Sequence, residues 1–422
     1  MLAAATDELE DLGRQSGGAI DALARRRAFD AYVRFGREAS RFPPRWRHDY
    51  AALPFDDLEW SSGRMAVAAT QSAAGLVHAG STYLEPPAAA GDPRIVLTSL
   101  ADAARALPER VAALRGHIVK YDADRFTALA NAFQNCGAFV DVPEGVELDE
   151  PVQLVWTSRP GVASAVFPHT IVRLGAHARA TIVERHLGEA ESFVCGIVEV
   201  ELGPRARLDY VVFQQADGAA RVVFRRGASC ADGASMAWHV ADLGGALART
   251  ALDLHLGGTG ARGDTNALFF ATGFANVDLS VDVGHAGAES ESQTIVRSAA
   301  SDRGHGRFTG AIDVGPAAHD CRASMRDDAL VLSRDAYLEA IPALAIGAHD
   351  VSVSHAATVG SLDEEQLFYV QSRGVARGAA ERMIALAFFE PAIARFPSDA
   401  LREEVRSALD TRLEEVPDTF TS

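Results

Sequence analysis

The stretch Asp350–Gly374, DVSVSHAATVGSLDEEQLFYVQSRG, joins two different periodicities within a few residues. At its start Val351 and Val353 alternate with Ser352 and Ser354, the period-2 pattern of a half-buried strand. Further on, Ser361 stands three residues before Glu364, a spacing that predicts a capping box and a helix start. Asp363, Glu364 and Glu365 fall in the first turn, where the helix dipole favours carboxylates. Gly374 then offers a left-handed stop. A β region is therefore expected to end here and a helical one to begin, with His355 at the seam.

Working back from this seam, residues 137–358 read as one long β domain. From Val172 to Ile182 the even positions are apolar, and the odd ones include Arg173, His177 and Arg179. Leu174-Gly175-Ala176-His177-Ala178 and Leu202-Gly203-Pro204-Arg205-Ala206 are matching L-G-x-x-A corners, with weaker echoes at Gly258–Ala261 and Gly315–Ala318. Repeated strand–corner–strand units without intervening helices suggest stacked β-coils. The period is irregular, and pattern alone leaves a sandwich or barrel open.

Residues 1–136 read as mainly helical. A helix around Ile20–Phe35 ends at Pro43-Pro44, Leu53–Trp60 is loop-like, Pro108 suits the first residue of a helix, and a further helix starts at Asp124. In residues 359–422 three helices are expected. They are Leu362–Arg373, a second ending at Pro391, and a third from Ser398 with a stripe of Leu401, Val405, Leu409 and Leu413. This lobe can cap the β stack or serve as a docking platform.

Composition narrows the function. A formal net charge of −17 over 422 residues opposes a nucleic-acid or anionic-membrane partner, both of which need a basic face. The short basic run Arg25-Arg26-Arg27 reads as a solvated helix face. Cys136, Cys195, Cys230 and Cys321 form no CxxC or other close pair, so no zinc or self-contained Fe–S motif is written here. Sparse thiols suit a reducing cytosol, and the acidic start MLAAATDELEDLG lacks the character of a signal peptide, so a cytoplasmic protein is expected. No P-loop, GxGxxG, HExxH or GxSxG occurs, and no residue stands out as catalytic.

His355 is the sharpest candidate ligand, an imidazole among the small residues Ala356, Ala357 and Thr358. His319 and Cys321, two apart, would share one face of a strand. Cys136, Cys195 and Cys230 read as small buried hydrophobes. The run Leu367-Phe368-Tyr369 is expected mainly in a helix core, with a partner contact as the other use, and Arg373 complements the helix end.

Ser354–Val375, SHAATVGSLDEEQLFYVQSRGV, closely resembles the signature of the SufB/SufD family of the SUF iron–sulphur cluster assembly machinery. GAFVDVPEGVELDEPVQL and FPHTIVRLGAHARATIVER resemble the family's first core turns. The resemblance implies a right-handed parallel β-helix (β-solenoid) core flanked by N- and C-terminal helical domains. It also implies a non-catalytic scaffold subunit that pairs with a SufB-like chain and docks a SufC-like ATPase through C-terminal helices. SHAAT resembles the SHGAT of SufD-type chains rather than the HEATT of SufB-type ones, and IPALAIGAHDV points the same way. His355 then inherits the role of ligand to iron or to a transient cluster shared with the partner, with no permanent cofactor, and Leu367, Phe368, Tyr369 and Arg373 become partner-binding candidates. Val353 stands where SufD-type relatives often carry cysteine, and Ala356 replaces the common glycine, so any contribution here rests on His355 and on partner groups. A homodimer is compatible with the chain alone. The rival reading is a β-helix carbohydrate-active enzyme, such as a polysaccharide lyase, or an acyltransferase. It needs a groove of clustered acids, bases or aromatics, whereas the strands carry scattered charges and only 7% of residues are aromatic.

Overall fold

A computed structural model of the chain describes residues 22–37, 59–60, 75–79, 82–84, 93–157, 164–187, 192–216 and 218–416. The segment MLAAATDELEDLG, the pair Pro43-Pro44 and most of the loop read at 53–60 lie outside these residues.

The N-terminal part contains helix α1 (Ala22–Arg37), strands β1 (Glu59–Trp60), β2 (Gly75–Ala79), β3 (Thr82–Leu84) and β4 (Val96–Ser99), then helices α2 (Leu100–Ala106), α3 (Pro108–Leu114) and α4 (Arg125–Phe133). Strands follow from β5 (Ala138–Val142) through β6 (Val152–Thr157), β7 (Ser164–Val166), β8 (His169–Leu174), β9 (Arg179–Leu187), β10 (Ser192–Leu202), β11 (Arg207–Gln214) and β12 (Arg221–Cys230). They continue as β13 (Ser235–Asp242), β14 (Leu247–Leu256), β15 (Arg262–Ala271), β16 (Asn276–His285), β17 (Glu291–Ala300), β18 (His305–Val314), β19 (Arg322–Val331), β20 (Tyr337–Ile346) and β21 (Ser352–Ser361). Helices α5 (Glu364–Ser372), α6 (Arg377–Ile393) and α7 (Asp399–Glu414) complete the described chain.

From β8 onward successive strands alternate between two sheets, and within each sheet every pair is parallel. The chain therefore winds as a parallel β-solenoid of about seven turns, which resolves the choice left open by pattern in favour of stacked coils. Along the first sheet Phe193 pairs with Arg221, then Leu247, Asn276, His305 and Tyr337, steps of 28, 26, 29, 29 and 32 residues. That drift is why no constant period shows in the sequence.

The corners obey the L-G-x-x-A reading. His177 and Arg205 take left-handed φ of 61° and 58°, and Gly233 and Gly260 occupy the same place in the following turns. Each donates its backbone N–H to the next turn's corner, as from His177 to Pro204 O at 2.9 Å and from Gly260 to Ala288 O at 2.9 Å. The echo at Gly315 is a longer corner, whose left-handed residue is Asp320.

Alternation makes one face of each strand line the interior, where Val172, Leu174, Val200, Leu208, Leu254 and Val281 belong to one continuous apolar core. The outer faces are covered by helices from both ends of the chain. Phe126, Leu129 and Phe133 of α4, with Phe29 of α1, pack on Phe193, Ile197 and Val223 of the first sheet. Phe389 and Ile393 of α6 and Leu401, Val405, Leu409 and Leu413 of α7 cover Val211, Leu268 and Phe270 of the second. Asn266 donates to Ala392 O at 2.9 Å and Arg185 pairs with Glu404 at 2.8 Å, pinning that lobe to the sheet.

Several expectations need correction. The region before residue 137 is not only helical: β2 joins β6 in parallel, and β4 joins β5 antiparallel, so it also supplies strands to both sheets. Arg25 is buried, donating to Ala132 O at 2.9 Å, because its guanidinium caps carbonyls at the end of α4; only Arg26 and Arg27 are solvated. Helix α6 runs past Pro391 to Ile393, since a proline in the last turn removes a single backbone bond that packing offsets. By contrast, Pro108 begins α3 and Ser398 caps α7 as read.

Candidate functional site

The solenoid's C-terminal end is open. Among the described residues strands β20 and β21 are the last in their sheets, each paired on one side only, with β18 and β19 respectively. Their other edges present unpaired backbone groups, a template for a further strand. Pro342 within β20 is tolerated because an edge strand need not donate everywhere.

His355 lies inside β21, not at a seam. Hydrogen-bonded pairing continues past it to the Val331–Ser361 pair, so the register with β19 carries the strand six residues beyond the histidine. Ser361 thus ends a strand, and the helix cap is Asp363, whose carboxylate accepts from Glu365 N at 2.8 Å. In register, Val353, His355, Ala357 and Val359 follow Ala323, Met325, Asp327 and Ala329. Ala323, Met325 and Ala329 belong to the interior core, and Val353 packs against it. His355 is therefore placed on the interior face of the terminal turn and is exposed because no further turn stacks on it.

The same register places an unforeseen carboxylate beside it. Asp327 is 2% exposed, and neither of its carboxylate oxygens has a hydrogen-bond partner among the described residues. Burial, with Asp328 adjacent, pushes its carboxyl up to about 7. Asp328 faces the other way, accepting from Thr358 Oγ1 at 2.6 Å and pairing with Arg297 at 3.0 Å. The signal was present in the alternation Ala323, Met325, Asp327, Ala329, where one acid interrupts an apolar phase. Met325 lies under His355 in the register, and its sulphur occupies the space that a Cβ on Gly310 would need, so glycine makes the room there.

A second polar group lies deeper in the solenoid. Glu184 accepts from Tyr210 Oη at 2.7 Å and from Arg226 Nη2 at 3.1 Å, with His186 Nε2 at 2.6 Å. Burial alone would raise the Glu184 carboxyl, but Arg226 and His186 hold it well below the ordinary range. This network is enclosed rather than accessible, and continuing the even positions from Ile182 to Glu184 and His186 would have found it.

The aromatic run of α5 divides. Leu367 is fully buried in the helical lobe and offers no surface, whereas Phe368 and Tyr369 are 73% and 60% exposed. Arg373 lies over the Tyr369 ring at 5.2 Å and donates to its hydroxyl at 3.2 Å. The expectation of a core run therefore holds only for Leu367, because a helix turns successive residues by about 100°.

All four cysteines are free and buried. Burial raises the thiols of Cys136 and Cys195 and pushes that of Cys230 up to about 12, so none of these three is a ready thiolate. His319 and Cys321 do not share a face. The long corner sends Cys321 inward against Ser290, at 3.1 Å, and leaves His319 outside against Asp320. Among the described residues no three His, Cys, Asp or Glu side chains converge to hold a metal ion, and no helix is long and apolar enough to cross a membrane.

These features define a class: a parallel β-solenoid clad by helices from both termini, open at one end, where an exposed histidine lies on the interior face. The family description "SUF system FeS cluster assembly, SufBD core domain" matches residues 156–388, and the SufBD protein N-terminal region matches residues 67–154. The chain belongs to the SufBD family of iron–sulphur cluster assembly proteins. It is 29% identical over 301 residues, 70% of this chain and 68% of the relative, to the iron–sulphur cluster assembly protein SufD of Bacillus subtilis. Over 386 residues, 84% of this chain and 83% of each relative, it is 25% identical to a SufBD family protein of Staphylococcus saprophyticus and 24% identical to SufB of Bacillus subtilis.

Proposed function

We propose that this chain is a SufD-type, non-catalytic scaffold subunit that pairs with a SufB-like chain and docks a SufC-like ATPase. In this reading His355 offers an imidazole to iron or a nascent cluster, the cargo of the assembly. The observation that carries it is the open solenoid end, where β20 and β21 leave their edges unpaired beside His355. A homologous solenoid has the same strand geometry and can stack there by β-addition. The similarity to SufD, together with the SHAAT stretch, supports the SufD-type assignment over the SufB-type. Exposed Phe368 and Tyr369 on α5 support ATPase docking through the helical lobe. Four free cysteines agree with a reducing cytoplasm.

Anaerobic reconstitution with the SufB-like and SufC-like proteins tests this reading, comparing wild type with His355→Ala. The complex is expected to form with both variants on size exclusion, with several-fold less bound iron and sulphide in the mutant. Unchanged iron would remove the ligand role from His355, and failure of the wild-type chain to capture either partner would sink the scaffold reading.

A further inference from the structure

A carboxylate taken out of water is normally paired, because an isolated buried charge is strongly unfavourable. Asp327 departs from that rule: it is buried, and both oxygens lack a partner among the described residues. Other buried acids of this solenoid are satisfied by side chains, as Glu184 is by Arg226 and Tyr210, and Asp242 is by Thr250 at 2.9 Å. What distinguishes Asp327 is its place. It lies one turn below the open end, directly under Ala357 and two residues along from Met325, which lies under His355.

We infer that Asp327 and His355 together form a two-donor site for a divalent cation of the Fe2+ type at the open end of the solenoid. The inference rests on the reading of His355 as an iron ligand and adds the second donor from this chain. β19 and β21 are parallel, and with strands about 4.8 Å apart rising about 3.3 Å per residue, diagonal neighbours two residues along lie roughly 8 Å apart. An imidazole, a carboxylate and an ion with bonds of about 2 Å can bridge that span. Imidazole nitrogen with carboxylate oxygen suits ferrous iron, and neither donor requires the thiolate that Val353 leaves out. Only the methyl group of Ala357 stands over Asp327 in the register of the last turn. Two protein donors leave the remaining coordination positions to water, sulphide or groups of a subunit stacked on the end. An incomplete ligand set holds cargo loosely enough to hand it on.

The test is an anaerobic Fe2+ titration of the full chain, alone and with its SufB-like partner, with Co2+ absorption as a second probe of the ligand set. Wild type is compared with Asp327→Asn, Asp327→Ser and His355→Ala. Both Asp327 substitutions are expected to fold, since they remove a buried carboxyl that no described protein group satisfies. Each should weaken Fe2+ binding roughly tenfold or more and alter the Co2+ spectrum, with capture of the SufB-like chain unchanged. Asp327 variants that bind both ions as wild type does would overturn the inference, as would a wild-type chain that binds no Fe2+ in either state. Loss of partner capture by the wild-type chain is a separate outcome that strikes the scaffold reading instead.

Discussion

Asp327 is one residue at which the physical chemistry departs from an ordinary core. Its carboxyl, pushed up to about 7 by burial and by Asp328, stands above the unfolded value of about 3.9. Between those pH values the folded chain keeps a proton that the unfolded chain has lost, so stability is greatest in acid and falls as pH rises through 7. Asparagine has no such proton to lose. Asp327→Asn should therefore be more stable than wild type by roughly 1–3 kcal/mol at pH 8, with little gain at pH 4. Parallel denaturant melts at the two pH values check this, and an equal difference at both would disprove it. Residue type and alternation were readable here, but depth of burial and absence of a partner were not. Both depend on β17 and β21, which flank β19 yet lie some 30 residues away along the chain.

At the scale of elements, α5 shows how neighbouring residues serve different ends. Leu367 ties the helix into the lobe, while Phe368 and Tyr369 stand in solvent, with Arg373 over the Tyr369 ring. The double substitution Phe368→Ala with Tyr369→Ala is expected to shift stability by less than about 1 kcal/mol. Capture of the SufC-like ATPase should weaken roughly tenfold or more, since exposed aromatics that bury on binding dominate an interface. Calorimetry and pull-down separate the two effects, and unaltered capture would move the docking surface elsewhere. Gly374, at φ 91°, ends this helix region where glycine was read to stop it. The helix is capped by Asp363, two residues beyond the Ser361 cap that local spacing predicts, because Ser361 remains engaged with β19 and a long-range ladder outweighs a local capping signal.

Over the whole molecule, the two ends of the solenoid are unlike. Antiparallel strands β3 and β4 finish the sheets at the N-terminal end, whereas β20 and β21 simply stop, parallel and unpaired. Val359, 52% exposed on the interior face of β21, lies on that open end. An inward-pointing charge on an edge strand opposes further strand addition. Val359→Asp should leave the isolated chain folded, within about 1 kcal/mol of wild type, and abolish the stacked complex with a SufB-like chain. Size exclusion with circular dichroism decides it, and an intact complex would show that pairing does not use this end.

Alternation, glycine corners and the switch from period 2 to period 3.6 were enough, from the sequence alone, to place a β core between helical regions, and the resemblance of Ser354–Val375 to the SufB/SufD signature gave His355 its candidate role. These are local properties, set by how each side chain suits the backbone around it. Tertiary structure decided what lay beyond local reach. It closed the strands into a solenoid through pairings 26 to 32 residues apart, buried Arg25, and turned Cys321 away from His319. It also set Asp327 on the interior face beside His355 at an end left open, because which face is buried and which edge is free is settled only when distant strands meet.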